Sequence, residues 1–223
     1  MRKNTKRILA SLTAAAALSS VCCAPFANIG INLPISPIEA QAAETKTSGD
    51  YQYTLETLGA VITKYTGSAA ELTIPAKLDG YTVCGIGNGA FENNKTLTSV
   101  TLHSGILTID NYAFYNCSAL TSVSFNEGLT TIGDYAFTKT ALTEAALPST
   151  IKTAPYAFSG TPVTKASFAE GAEEVPARIF ENCHELTEVT LPKTITDINN
   201  SAFYNCTSLS KFTFHEGITF IGD

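Results

Sequence analysis

Apolar and polar residues follow a pattern that recurs about every 22 residues through the second half of the chain. Each copy has a short strand-like alternation, a turn, an Ile-x-x-Ile step, and a phenylalanine that usually follows alanine. The clearest copy runs from Leu97 to Ala119, and the phenylalanines are Phe91, Phe114, Phe137, Phe158, Phe180 and Phe203. A regular period of this length predicts stacked units, each of which buries its apolar face against its neighbours.

The strand-like segment of each copy places alternate residues on opposite faces of a sheet. Pairs such as Val100 with Leu102, and Phe212 with Phe214, are predicted to enter the core. Their neighbours form what we call the exposed strand face: Ser99, Thr101, Ser122, Ser124, Glu144, Lys165, Ser167, Glu188, Thr190, Lys211 and Thr213. This face is the candidate for ligand binding, although serine and threonine also suit exposed strand positions for structural reasons alone.

After the strand, the Ile-x-x-Ile step and the phenylalanine return the chain along the far side of the repeat. In the clearest copy the anchors are Ile106, Ile109 and Phe114. The phenylalanines of successive copies are predicted to stack on one another in a continuous row.

The phrase LTSVTLHSGILTIDNYAFYNC resembles the repeats of BspA-like, treponemal-type bacterial surface leucine-rich repeat proteins. The resemblance implies a right-handed leucine-rich-repeat solenoid with a parallel β-sheet on one face and irregular or short helical segments on the other. It also implies a secreted or cell-surface protein with an adhesive, non-catalytic role. The repeats are assigned to residues 72–223, and the last is incomplete because Ile221-Gly222-Asp223 matches Ile132-Gly133-Asp134.

Two segments precede the repeats. Residues 1–43 are predicted to be a secretory signal peptide, because a basic start is followed by an apolar stretch and the small residues of Ala40-Gln41-Ala42. An uncleaved anchor and a lipoprotein acylated at Cys22 or Cys23 are the alternatives. Residues 44–71 are predicted to form a flexible start and a β-hairpin-like cap over the first repeat, since an open solenoid end would expose core and strand edges.

Charge restricts the class of partner. The whole chain has 14 basic and 20 acidic residues, and residues 1–43 contain four of the former and one of the latter. Cleavage would therefore leave 10 basic and 19 acidic residues, a net charge near −9. An acidic surface without a basic cluster argues against nucleic acid and anionic lipid as partners. No segment after residue 43 is apolar enough to predict a membrane span.

Four cysteines lie beyond residue 43. Cys117, Cys183 and Cys206 each lie three residues after a repeat phenylalanine, and Asn94 holds the same position after Phe91. This repetition predicts a stacked, buried position at a turn. A disulfide between Cys183 and Cys206 is the alternative, because adjacent repeats bring their backbones within about 5 Å. The sequence contains no CxxC pair of the kind that would suggest a zinc site.

The sequence offers little chemistry for catalysis. His103 and His215 occupy equivalent positions five repeats apart, and His184 lies in a variable turn; none has a catalytic motif around it. Glu173-Glu174 and Glu181 with Glu185 are read as a solvated surface. We therefore expect no enzyme, no cofactor and no bound metal.

Two functions remain open from the sequence. The first is a secreted or surface module that binds an extracellular protein or matrix ligand, glycoproteins included. The second is a repeat scaffold within a larger secreted enzyme or wall-anchored protein. The identity of the ligand and the oligomeric state are not encoded in any motif.

Overall fold

The computed structural model describes residues 44–223. The predicted signal peptide at residues 1–43 lies outside the described residues. From Glu71 onwards each repeat forms one coil of a solenoid, and successive coils stack through parallel strand ladders.

The solenoid begins with three antiparallel strands, β1 (Lys46–Ser48), β2 (Tyr51–Glu56) and β3 (Gly59–Tyr65). Strand β1 lies where a flexible start was expected, and the Ser48 hydroxyl donates a hydrogen bond to Asp79 across 2.7 Å. Strand β3 then pairs in parallel with β6 (Tyr81–Ile86). The antiparallel strands therefore lead directly into the repeating coils.

A local hairpin interrupts the first coil. Strand β5 (Lys77–Leu78) pairs antiparallel with β6 through Asp79-Gly80. Both turn residues have positive φ, 49° and 87°, as a tight hairpin turn requires. The Asp79-Gly80 pair thus forms the tight turn between β5 and β6.

One side of the solenoid is a ladder of parallel strands. Its members are β4 (Glu71–Thr73), β7 (Ser99–Thr101), β9 (Ser122–Ser124), β11 (Glu144–Leu147), β12 (Lys165–Phe168), β14 (Glu188–Thr190) and β16 (Lys211–Phe212). Within residues 44–223 the ladder is interrupted once, between β9 and β11. The predicted alternation holds for Val100 and Leu102, which are both buried. Phe214 is an exception, because it is 60% exposed and its ring contacts only that of Phe212 among the aromatic neighbours.

A second side carries shorter strands, β8 (Thr108–Ile109), β10 (Thr131–Ile132), β13 (Glu174–Val175), β15 (Asp197–Ile198) and β17 (Phe220–Ile221). An isolated parallel bridge between Thr131 and Thr153 lies after β10 in this row. Most of these strands bury their second residue, as Ile109 and Ile132 do. The parallel-sheet solenoid is as predicted, but residues 44–223 contain no helix: turns and this second ladder take the place of the suggested helical segments.

The third side consists of turns around the repeat phenylalanines. Successive rings stack with centroids 4.9–5.9 Å apart from Phe91 to Phe203, which confirms the predicted row. Backbone bonds run between coils here too, since the Phe114 N–H donates to the Ala136 carbonyl across 2.8 Å. The residue before the phenylalanine is alanine in every repeat except one, where Ile179 precedes Phe180.

Two left-handed residues bracket each phenylalanine. The residue two before it (Phe−2) and the residue two after it (Phe+2) both have φ near +60° in all six repeats. Most of them are not glycine, although this region disfavours bulky side chains. The Phe−2 residues are Gly89, Tyr112, Tyr135, Tyr156, Arg178 and Ser201, and the Phe+2 residues are Asn93, Asn116, Lys139, Gly160, Asn182 and Asn205.

Candidate functional site

The structure brings the exposed strand face together on one side of the molecule. All eleven of its residues lie in or next to strands of the long ladder, and none is buried. Register places Ser99 beside Ser122, and Thr101 beside Ser124. Register in the C-terminal half of the ladder likewise aligns four charged residues, one on each of β11, β12, β14 and β16: Glu144, Lys165, Glu188 and Lys211.

Hydroxyl groups near this face fall into two classes. Thr121 and Thr187, which each precede a ladder strand, donate hydrogen bonds to the carbonyls of Thr98 and Thr164 in the preceding coil. The serine and threonine hydroxyls of the exposed strand face make no hydrogen bond to any residue in the described part of the chain. The first class joins coils, whereas the second has no partner within residues 44–223.

Charges alternate in sign along the C-terminal half of the face. Glu188 and Lys211 form an ion pair with 3.7 Å between Oε2 and Nζ. Glu144 and Lys165 are neighbours in register, but within residues 44–223 neither forms an ion pair. Exposed pairs of this kind contribute little to folding stability, so the row remains available for interaction.

Shallow depressions lie along the same face. One of about 250 Å³ is lined by Glu144, Ala146, Lys165 and Glu188, among others. A second, of about 270 Å³, lies between Glu188 and Lys211 and includes His215. Both are open to solvent along a strand surface rather than enclosed. Such a surface suits contact with a macromolecule better than capture of a small molecule.

The four cysteines of residues 44–223 are free thiols. Cys117, Cys183 and Cys206 each donate a hydrogen bond to the carbonyl of a phenylalanine one coil earlier, across 3.0–3.1 Å. The stacked-position hypothesis is confirmed, and the Cys183–Cys206 disulfide is absent. Burial raises the pKa of Cys117 and Cys183 to about 11, so these thiols stay protonated near neutral pH.

Threonine replaces cysteine at this Phe+3 position in two repeats. Thr140 and Thr161 donate to the carbonyls of Phe137 and Phe158 in their own coils, each across 2.7 Å. Only four residues separate the Phe+2 residue from the next strand in these two coils, against five in coils with asparagine or cysteine. The hydrogen bond of the threonine to its own coil thus occurs where the turn before the next strand is one residue shorter.

Two of the histidines are engaged in turns. His103 Nδ1 accepts the Gly105 N–H across 3.0 Å, and His215 Nδ1 accepts the Gly217 N–H across 3.1 Å. Both imidazoles therefore stabilise turns. No group of three or more potential metal-ligating side chains occurs within the part of the chain that the structure describes.

A row of tyrosines on the turn side is the feature that the sequence reasoning missed. The rings of Tyr112, Tyr135 and Tyr156 stack with centroids 5.7 and 5.2 Å apart, and the Arg178 guanidinium lies 5.4 Å from the Tyr156 centroid. The Tyr-Ala-Phe triplets signal this row in the sequence. Because the ring faces contact one another, the row chiefly stabilises the stacking of coils.

No helix in residues 44–223 has the length and apolar character to cross a membrane. A comparison with curated proteins gives no significant match. Among solved structures, the chain is similar to a leucine-rich cell surface protein from Faecalibacterium prausnitzii, with 28% identity and a TM-score of 0.58. That alignment covers 81% of this chain and 51% of the other.

Two further structures are similar. A leucine-rich repeat protein from Eubacterium ventriosum is 29% identical with a TM-score of 0.62, over 76% of this chain and 47% of its own. A leucine-rich repeat protein from T. pallidum is 23% identical with a TM-score of 0.56, over 75% of this chain and 91% of its own, and it shares the fold. The chain spans about half the length of the F. prausnitzii and E. ventriosum proteins.

A model of the family described as the BspA type leucine-rich repeat region matches six copies, over residues 52–155 and 151–223. The match covers most of the chain and includes all six stacked phenylalanines. The chain belongs to the BspA-type leucine-rich repeat family.

Proposed function

We propose that this chain is a non-catalytic module of a secreted or cell-surface protein and that its exposed strand face binds an extracellular protein or matrix ligand, glycoproteins included. One observation carries the proposal. The serine and threonine hydroxyls of the face make no hydrogen bonds within the described residues, whereas neighbouring threonines join the coils. Two groups of such hydroxyls, one on each side of β11, offer many weak contacts to a large ligand.

The surrounding chemistry supports binding rather than catalysis. The histidine Nδ1 atoms of His103 and His215 are engaged with glycine N–H groups, and the cysteine thiols bond to buried carbonyls. Glu181 forms a partly exposed ion pair with Arg178, with 3.1 Å between Oε2 and Nη1. A surface location is favoured by the resemblance to the F. prausnitzii cell surface protein and by the signal-like sequence of residues 1–43.

The test measures binding of the purified chain to a panel of extracellular matrix proteins by biolayer interferometry. A face variant, Lys165→Glu with Thr190→Lys, reverses or introduces charge on the exposed strand face. A matched control, Ser118→Glu with Thr207→Gln, changes exposed turn residues elsewhere and alters the net charge by the same amount, −1. We expect the face variant to lose about tenfold or more in affinity and the control to keep it. Equal binding by both would contradict the proposal.

A second candidate is a repeat scaffold within a larger secreted enzyme or wall-anchored protein. It is favoured by the coverage of the two bacterial relatives, of which this chain spans 51% and 47%. Sequencing the DNA downstream of codon 223 separates the two candidates. An open frame into a protease, glycosidase, docking or wall-anchor domain would support the scaffold, and an immediate stop codon would support the self-contained module.

A further inference from the structure

One place on the exposed side departs from the hydroxyl chemistry around it. Along the row that contains Thr101, Ser124, Ser167, Thr190 and Thr213, the residue of β11 is Ala146. In the turns that follow, an apolar residue holds the position that polar His103, Asn126 and His215 hold in other coils; these apolar residues are Pro75, Pro148, Ala169 and Pro192. The coil of β11 is the one described coil in which both positions are apolar, at Ala146 and Pro148.

Ala146 and Pro148 lie in a single depression of about 330 Å³, which we call the Ala146 depression and define by Phe125, Ala146, Pro148 and Ala169. Phe125 is half-buried, and its ring packs edge-on against Phe137 at 5.6 Å. Because that ring is held by the phenylalanine row, the apolar wall is rigid. Rigid apolar recesses are where protein partners insert an anchoring side chain.

The charges around this recess are unbalanced. Glu127 lines it, Glu144 lies on the strand of Ala146, and Glu170 follows Ala169, whereas Lys165 is the basic neighbour. Glu127 is held in place because its Oε2 accepts hydrogen bonds from the Ser149 N–H and hydroxyl. The excess of carboxylates favours a ligand with positive charge beside its apolar group.

A neighbouring depression offers a place for that charge. The recess of about 250 Å³ between Glu144, Lys165 and Glu188 also includes Ala146, so the two depressions meet at this residue. If an extended ligand chain places one side chain in the Ala146 depression, a nearby residue of that ligand lies within reach of Glu144 and Glu188. A larger residue than alanine at position 146 would close the junction.

We infer that the Ala146 depression binds an apolar side chain of an extended protein segment that carries lysine or arginine one or two positions away. The inference rests on the proposed function, which it deepens by naming the chemistry of the partner. Because Ala146 is small, it leaves room for the apolar side chain of the ligand. The negative charge of Glu144 favours the lysine or arginine of the ligand.

The test uses the full chain, immobilised and used to select from a library of short random peptides displayed on phage. Enriched peptides are synthesised, and their affinity is measured by fluorescence anisotropy. The variants are Ala146→Trp, which fills the recess, and Glu144→Lys, which reverses the charge. The matched control is Ser118→Trp, at an exposed turn residue outside the exposed strand face. Thermal melts verify that each variant folds.

We expect enriched peptides to combine a lysine or arginine with a leucine, isoleucine, valine or methionine. Their affinity should fall by about tenfold or more in both Ala146→Trp and Glu144→Lys and change less than about twofold in Ser118→Trp. The inference is overturned if no peptide is enriched, if enriched peptides are acidic, or if Ala146→Trp binds like the unmodified chain. If matrix binding depends on Lys165 and Thr190 but not on Ala146, the inference fails while the proposed function stands.

Discussion

The thiol of Cys117 donates a hydrogen bond to the carbonyl oxygen of Phe91 across 3.0 Å and thereby joins one coil to the coil before it. The same relationship links Cys183 to Phe158 and Cys206 to Phe180. Asparagine precedes each of these cysteines, and the Asn116 amide donates to Asn93 Oδ1 in the preceding coil. The Asn-Cys step is therefore a polar link between coils at the edge of an apolar core.

Replacing Cys117 tests that link. Serine keeps a donor at the position, whereas valine has a similar volume without a donor. We expect Cys117→Val to lower the free energy of unfolding by about 1 kcal/mol, because one buried hydrogen bond is lost. Cys117→Ser should retain the bond and cost less. Urea denaturation measures both values, and a valine variant as stable as the parent would contradict the role of the bond.

Thiol reactivity gives a second test. Because burial raises the pKa of Cys117 and Cys183 to about 11, little thiolate is present at neutral pH. We expect both to resist alkylation by iodoacetamide in the native protein and to react after unfolding, as peptide mass spectrometry would show. Burial also raises the pKa of Cys206, to about 12, but this thiol is half-buried, so access alone should make it the fastest of the three to react. A Cys183–Cys206 peptide linked by a disulfide under non-reducing conditions would contradict the structure.

The phenylalanine row predicts a dependence on position. Phe137 is fully buried between Phe114 and Phe158, with ring centroids at 5.3 and 5.1 Å. Phe137→Ala is therefore expected to cost about 3–5 kcal/mol. Phe203 is half-buried and stacks on Phe180 alone within the row, at 5.9 Å, so Phe203→Ala should cost clearly less. Equal losses in chemical denaturation would argue against a stack built coil by coil.

The tyrosine row predicts that glycine is better tolerated than alanine. Tyr135 has φ of +57° and stacks on both Tyr112 and Tyr156. Either substitution removes the two stacking contacts, but alanine keeps the left-handed strain that glycine relieves. We expect Tyr135→Gly to be more stable than Tyr135→Ala by about 1 kcal/mol. Thermal denaturation of the two variants side by side measures the difference, and a more stable alanine variant would contradict it.

His103 predicts a loss of stability in acid. Burial lowers its pKa below 6.5, so the unfolded chain takes up the proton first as pH falls. The contribution to stability is complete above about pH 6.5 and decreases as pH falls towards the folded pKa. His103→Asn should show a flatter dependence, because Asn126 already serves in the equivalent turn. Melting temperatures of both proteins between about pH 7 and pH 5 measure this; parallel curves would exclude His103 as the source.

The parts of the fold that depend on side-chain period were predictable from sequence. Phe114 and Val100 repeat at fixed intervals, and burial of apolar groups is the force that aligns such repeats. The left-handed conformations of Tyr112 and Arg178 were not predictable, because these are not residue types that indicate positive φ. Strand β1 was missed for a related reason: Lys46–Ser48 is polar, and its pairing with β2 depends on backbone bonds rather than on pattern.

The candidate site was predictable in its members but not in its detail. Period-two alternation located Ser99 and Thr101 on the solvent side. The distinction between coil-joining and free hydroxyls required coordinates, since Thr121 and Ser122 are adjacent in sequence. The Ala146 depression also required them, because Ala146 and Phe125 come together only when neighbouring coils stack.

The two left-handed residues of each repeat are always four positions apart, while the turns outside them vary in length. Insertions and deletions are therefore tolerated at those outer turns but not between Phe−2 and Phe+2, where a single added residue would turn the phenylalanine away from its neighbours. Whole coils can also be duplicated or removed, because each presents the same backbone donors and acceptors to the next. Through such events a gene of this family can lengthen its exposed strand face in uniform steps without redesigning the core.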